Sequence, residues 1–371
     1  MIGWELPPFS TGGLGTHCYS LTKRLSRYVS IFFTMPNRKG VPSYDFMEII
    51  PIPSPSLGVG VYVTADHKVH YMSDWIPHII DVYAKEIVKA VKNIDFDLIH
   101  SHDWLTAPAA MAVKKLTGKP WIYTVHSTEW DRSGGSPWPE ALAVETEGLR
   151  NADMIIAVSN RTKNMLIEKY GIPPEKIRVV YNATEPITYR GRKYSKMVLY
   201  LGRLTVQKGL YHFLHAAKLV LEKDPNVLFV IAGTGPDEDY LINLSIELGI
   251  HNNVVFTGFV PDEEVKKLYG SASLYVLPSK SEPFGITVLE AMSAGTPVIV
   301  SKQAGVSEVI RNCIKVDFWD TRLMASAILE VLNYPPLMES LRANGYKDLH
   351  RITWEDSARK TYNVYRDVLN L

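Results

Sequence analysis

Short runs of mostly apolar, often β-branched residues alternate along this chain with segments whose apolar residues recur at helical spacing, and few folds accept that alternation. In the first half the runs fall at Asp97 to His100, Trp121 to Val125, Met154 to Val158 and Ile177 to Tyr181. In the second they fall at Met197 to Leu201, Val227 to Ala232, Val254 to Thr257, Leu274 to Leu277 and Val298 to Ser301. Strands joined through helices pair in parallel, so each series predicts a doubly wound α/β domain. At 371 residues the chain exceeds one typical core. The stretch Thr184 to Ser195 is polar, contains Pro186 and carries several bases, which marks an interdomain connection. The expected layout is a first domain at 1–183, a linker at 184–195, a second domain at 196–350 and a terminal helical segment at 351–371. Trp354 to Leu369 has the apolar spacing of that helix.

The beginning of the chain departs from this pattern. The first strand of a doubly wound sheet is central, yet only Met1-Ile2-Gly3 precedes the Trp4-Glu5-Leu6-Pro7-Pro8 loop. A truncated first strand, with a native start upstream of Met1, is the expectation; a chain that starts at Met1 has a short central strand instead.

Lys and Arg total 40 against 39 Asp and Glu, a net charge of +1, so nothing calls for a nucleic-acid partner. No apolar run approaches the ~20 residues of a membrane span, and the N-terminus lacks the basic-then-apolar order of a signal peptide, which makes the cytoplasm the default location. Cys18 and Cys313 have no neighbouring His or Cys at metal-ligand spacing and read as buried fillers.

In open parallel sheets ligands bind beyond the carboxyl ends of strands. The most informative such segment is Ser281-Glu282-Pro283-Phe284-Gly285-Ile286-Thr287-Val288-Leu289-Glu290-Ala291. Pro283 and Gly285 put Glu282 on a loop, and a helix runs from Ile286 to Ala294 before Gly295-Thr296-Pro297 ends it. Unpaired amides from Gly285 to Thr287 favour an anion, and Glu290 can accept from a ribose diol, leaving Glu282 near a sugar. The plain alternative is an acidic loop beside an ordinary helix.

Other strand ends agree. Gly202-Arg203-Leu204-Thr205-Val206-Gln207-Lys208-Gly209 carries two cations ahead of a helical pattern, where positive charge is disfavoured without an anion; they suit a diphosphate. Gly233-Thr234-Gly235-Pro236 permits close approach of backbone to a ligand, a weak signal alone. In Ser10-Thr11-Gly12-Gly13-Leu14-Gly15, Gly12 and Gly13 can close over a sugar phosphate or form a generic turn. His126 follows a strand and is better placed than His100, inside one, or His102, just past its end; a satisfied buried histidine is the bland alternative for each. Asp95-Phe96-Asp97 enters a strand and Asp237-Glu238-Asp239 opens a helix, so neither acid pair predicts a catalytic metal. Trp130 and Trp138 suit sugar stacking and loop packing equally.

In order and spacing, these residues resemble the GT-B superfamily of retaining glycosyltransferases, the large group 1 type that includes sucrose synthases and archaeal glycogen-synthase-like enzymes. The resemblance spans nearly the whole chain: the N-terminal glycine loop, Val125-His126, Ala152-Asp153, Ala157-Val158-Ser159, Tyr181-Asn182, Gly202-Arg203 with Lys208-Gly209, Gly233-Thr234-Gly235, Glu282 with Glu290, and Trp354-Glu355. It implies two Rossmann-like domains facing a central cleft, with the terminal helix crossing back to the first. By it, Arg203 and Lys208 bind the donor diphosphate, Glu290 the ribose, Glu282 and Phe284, Gly285, Ile286 and Thr287 the donor sugar and phosphates, and His126 the sugar. The implied activity is retaining, metal-independent transfer of a hexose, glucose first, from a nucleotide sugar to a sugar or glucan acceptor. No cofactor is expected. His102-Asp103-Trp104 and the glycine loop lean toward glycogen and starch synthases, but Ser10 stands where those bacterial enzymes carry a lysine. The alternatives are a small, phosphorylated or lipid-linked acceptor, and a non-enzymatic sugar-nucleotide sensor or scaffold.

Overall fold

The computed structural model describes residues 1–10, 12–37, 42–53, 61–63, 69–71, 76–189 and 191–371. The second half contains one six-stranded parallel sheet in the order Val254–Gly258, Leu228–Ala232, Met197–Leu201, Leu274–Leu277, Val298–Ser301, Ile314–Val316. Its inner strands are short runs buried on both faces, as parallel strands covered by helices must be. Met197–Leu201 is first in sequence yet central in space, and the strand order reverses between it and Leu274–Leu277. That reversal opens a crevice at the carboxyl ends of these two strands.

The first half repeats the arrangement around a stump. Phe32–Pro36 pairs in parallel with Glu48–Ile52, and Ile99–His102, Trp121–Val125, Met154–Ala157 and Ile177–Val179 form a parallel four-stranded ladder. Ile2 joins the two, bridging Ser101 on one side and Thr34 on the other. Its amide donates to His100 O at 2.8 Å, and the Gly3 amide to Thr34 O at 3.0 Å. The switch point here lies between the chain leaving Ile2, which leads to the glycine loop, and the strand ending at His102. Val61–Val63 and Val69–Tyr71 form a separate antiparallel pair.

Two sequence expectations shift. The run expected at Asp97 to His100 is observed at Ile99–His102, because the register against Trp121–Val125 continues to Thr124. His102 therefore ends a strand and is buried, instead of lying beyond it. Cys18 is buried as expected, whereas Cys313 is partly exposed.

The helix Trp354–Leu369 begins with Thr353 accepting from the Asp356 amide and has Glu355 and Asp356 in its first turn, where acids meet the positive end of the helix dipole. It packs against the helix Gly13–Leu25 of the first half. Tyr365 Oη lies 2.6 Å from His100 Nδ1, and Ser357 Oγ donates to Tyr181 O at 2.6 Å. Arg24 fastens the same corner, reaching Glu185 at 2.5 Å and Glu355 at 3.2 Å. No helix of the described residues is long and apolar enough to cross a membrane.

Candidate active site

At the second switch point the helix Ile286–Ser293 starts from Gly285, whose φ of +105° is a left-handed conformation that favours glycine. A Cβ there would also approach Leu277 Cδ2 at 3.1 Å. No acid lies in the first turn and no side chain of the described residues caps it. Among the described residues none accepts from the amides of Gly285, Ile286 or Thr287, so three donors point past the helix end. Thr287 Oγ1 is fixed by Tyr275 Oη at 2.9 Å.

Both cations expected here come from the loop after Met197–Leu201. Lys208 ends the short turn Val206–Lys208 and pairs with Glu282 at 2.6 Å; their side chains are 19% and 11% exposed. Gly209 follows because a Cβ would lie 2.1 Å from Pro278 O. Arg203 is partly buried, and burial lowers its pKa while Glu5 opposes the shift. The glycine loop of the first domain faces this group. A Cβ on Gly12 would lie 3.8 Å from an Arg203 guanidinium nitrogen, and one on Gly13 would lie 3.7 Å from Ile286 Cδ1. Farther along the helix, Glu290 accepts from Tyr269 Oη at 2.8 Å; burial raises its pKa and that bond opposes the rise.

Two expectations acquire different physical reasons. Gly233 and Gly235 permit close approach to the chain itself, since Cβ atoms there would lie 2.0 Å from Gly202 O and 2.2 Å from Leu204 O. Phe284 is buried with its ring 6.2 Å from that of Tyr181, leaving its backbone for any ligand. Trp130 and Trp138 pack the loop. Lys169 sits 4.9 Å over the Trp130 ring, and Trp138 lies edge-on to Trp104.

The first domain contributes imidazoles. His126 Nε2 lies 3.2 Å from His102 Nδ1, and the His126 ring lies 4.3 Å from that of His17, whose Nδ1 is 2.8 Å from Asn182 Oδ1. Burial pushes the His126 pKa down to about 3 and those of His17 and His102 well below the usual value, so all three are neutral near pH 7. His17 Nε2 and His102 Nε2 are buried without a partner among the described residues. The strand-end residue Asp103 accepts from the His126 amide at 2.7 Å; burial raises its pKa to about 6, against Arg132 and these amide bonds. His100 is satisfied by Thr124 and Tyr365, the bland alternative. The sequence reading predicts no catalytic metal. Among the described residues, His17, His102 and His126 form the group whose ligand atoms lie within 4.8 Å of one another, a set of three nitrogen donors of the number zinc takes in open sites.

Sequence reasoning missed the contacts that hold the Glu282 loop to the first domain. Ser281 Oγ binds Asp131 and accepts from Arg161 at 2.8 Å, Ser159 Oγ donates to Pro283 O at 2.6 Å, and Glu308 accepts the Asn160 and Arg161 amides at 2.9 and 2.8 Å. One local signal was present: Thr128-x-x-Asp131 is a capping box, and it fixes Asp131 at the start of its helix.

This geometry can hold a diphosphate against two cations and a helix start, with a carboxylate and neutral imidazoles near the attached group. Comparison with known proteins agrees. The family described as Glycosyltransferase Family 4 matches residues 11–186, and Glycosyl transferases group 1 matches residues 189–348. An uncharacterized glycosyltransferase of Methanocaldococcus jannaschii is 31% identical, covering 100% of this chain and 98% of that protein. A glycogen synthase of Mycobacterium tuberculosis is 27% identical over 98% of this chain and 93% of its own. Among solved structures, sucrose-phosphate synthase from Thermosynechococcus elongatus superposes with a TM-score of 0.83 at 20% identity, covering 100% and 99% of the two chains. An Anabaena protein in complex with UDP and glucose superposes with a TM-score of 0.75 at 17% identity, over 100% and 99%. The chain belongs to the group 1 glycosyltransferases and has their GT-B fold of two Rossmann-like domains.

Proposed function

We propose that this enzyme moves a hexosyl group, glucose first, from a nucleoside diphosphate sugar to a sugar or glucan acceptor, with retained anomeric configuration and without a metal. The observation that carries the reading is the convergence of Arg203, Lys208 and the Gly285–Thr287 amides at one switch point. Departure of a nucleoside diphosphate concentrates negative charge there, and donors already in place stabilise it without reorganising. Arg203 and Lys208 then do the work a divalent cation does elsewhere. Glu290 receives the ribose hydroxyls, and Gly12 and Gly13 close over the diphosphate from the first domain. The Gly233 and Gly235 turn supports Gly202 and Leu204 and so sets the Arg203 loop.

At the sugar end, His126 is held neutral, so it hydrogen-bonds a sugar hydroxyl without placing a cation beside an oxocarbenium-like centre. Glu282 lies on the same side as the Lys208 ammonium and faces the sugar with a carboxylate. The departing phosphate takes the acceptor proton on the face it leaves, which yields retention. The glycogen synthase relative supports a glucan acceptor. The test is proton NMR of the product made from an α-linked glucose donor with EDTA present. An α-linked product supports the reading; a β-linked product, or turnover only after metal is restored, contradicts it.

A further inference from the structure

A cavity of about 230 Å³ lies between the domains, against the short turn that presents Lys208. From the first domain it is lined by Ser133 and Gly134, and from the second by Thr205, Tyr211, Asp237 and Tyr240. The two halves touch: a Cβ on Gly134 would lie 2.7 Å from Val206 Cγ1, and Lys280 Nζ donates to Gly134 O at 3.0 Å. Two features point to an occupant. The hydroxyls of Ser133 and Thr205 are buried without a partner among the described residues, and these residues are only 4% and 3% exposed. Buried hydroxyls are ordinarily bonded, and each can donate and accept at once. Beside them Tyr211 and Tyr240 stand 45% and 42% exposed, offering aromatic surface at the mouth.

We propose that this cavity is a carbohydrate subsite that takes one neutral hexopyranose unit of the acceptor. A pyranose presents C–H groups to an aromatic face and hydroxyls at its rim that both donate and accept, which matches tyrosines beside unpartnered hydroxyls. The volume falls below the ~300 Å³ at which sites for drug-sized ligands begin, so a whole nucleotide sugar does not fit while a single ring does. The charged side chains of the lining, Lys280 and Asp237, are of opposite sign, which suits an uncharged ring better than a phosphorylated one. Because both domains contribute, an occupied subsite holds the cleft closed and seats the acceptor beside the turn bearing Lys208. The inference rests on the reading of the acceptor as a sugar or glucan.

The experiment is calorimetric titration of the full chain with maltohexaose, cellohexaose and mannohexaose, alongside UDP and nucleotide release from UDP-glucose. Thr205→Val removes the hydroxyl at nearly constant volume, and Tyr240→Ala removes aromatic surface from the mouth. At least one oligosaccharide is expected to bind, each variant weakening it by about tenfold or more while UDP binding stays unchanged. Wild-type oligosaccharide affinity in both variants overturns the subsite, as does the absence of binding by all three oligosaccharides; nucleotide release in either case leaves the transferase reading standing. Variant-sensitive oligosaccharide binding without release from any nucleotide sugar supports the subsite and contradicts the donor reading.

Discussion

Lys208→Ala separates the donor chemistry from the fold. Lys208 Nζ sits 2.6 Å from Glu282 Oε2, with side chains 19% and 11% exposed, so this pair is screened less than a surface pair. Removing the lysine leaves Glu282 with Ser279 Oγ at 3.3 Å among the described residues. An unsatisfied buried group costs about 1–3 kcal/mol and a charged one more, which lowers the melting temperature by several degrees or more and leaves a folded protein at room temperature. The catalytic loss is larger in effect. One preorganised charge donor at a developing anion contributes about 3 kcal/mol, a ~10²-fold fall in turnover. Lys208→Arg keeps the charge and should recover part of that loss. The assay is nucleotide release at saturating donor, with melting measured on the same preparations. Wild-type turnover in folded Lys208→Ala would refute the assignment, as would a loss wholly explained by unfolding.

Three further outcomes follow from buried charge. His17, His100, His102 and His126 all have pKa values lowered by burial, so the unfolded chain binds more protons below pH 6.5 and stability is lost as pH falls. Asp103, raised to about 6, acts in the opposite sense: its contribution is fully present below the ordinary carboxylate range and is lost as pH rises through 6. The four histidines outnumber it, and urea unfolding should show a net loss of stability between pH 7.5 and 5.5; equal or greater stability at pH 5.5 contradicts their burial as neutral groups. Measured as the melting difference from Asp103→Asn, the wild type should gain from pH 7.5 to 5.0, and a constant difference would show that Asp103 is not perturbed. Arg132 is bound by the buried carboxylates of Glu129 and Glu145, so Arg132→Ala should cost about 3–5 kcal/mol in denaturant unfolding, and a loss below ~1 kcal/mol would mean the acids find other partners.

The second domain was legible because its strands are continuous apolar runs bounded by Gly, Pro, Ser or charge, and Met197–Leu201, Leu274–Leu277 and Val298–Ser301 begin and end where those boundaries fall. The first domain was harder. Phe32–Pro36 ends in proline and Glu48–Ile52 contains Pro51, which disguise strands on the outer side of a sheet. Ile2 joins the sheet through single bridges, a role no periodicity reveals. Among the candidate site residues, Arg203, Lys208, Glu282 and Glu290 stood out in the sequence because each lies near a strand end or on the helix that follows one. His17 was not. It sits on a helix face that reads as core through Cys18, Leu21 and Leu25, and its partner Asn182 is 165 residues away. The same distance in sequence hid the union of Ser281 with Asp131 and Arg161.

Release of UDP, ADP and GDP from their glucose conjugates, with and without glycogen and with EDTA throughout, tests the central claim most directly. The account predicts metal-free release from at least one donor, stimulated by a carbohydrate acceptor and abolished with the Arg203 and Lys208 cations. No release under EDTA from any donor, with activity restored by Mg²⁺ or Mn²⁺, would contradict the claim that these cations and the Gly285–Thr287 helix start replace a metal.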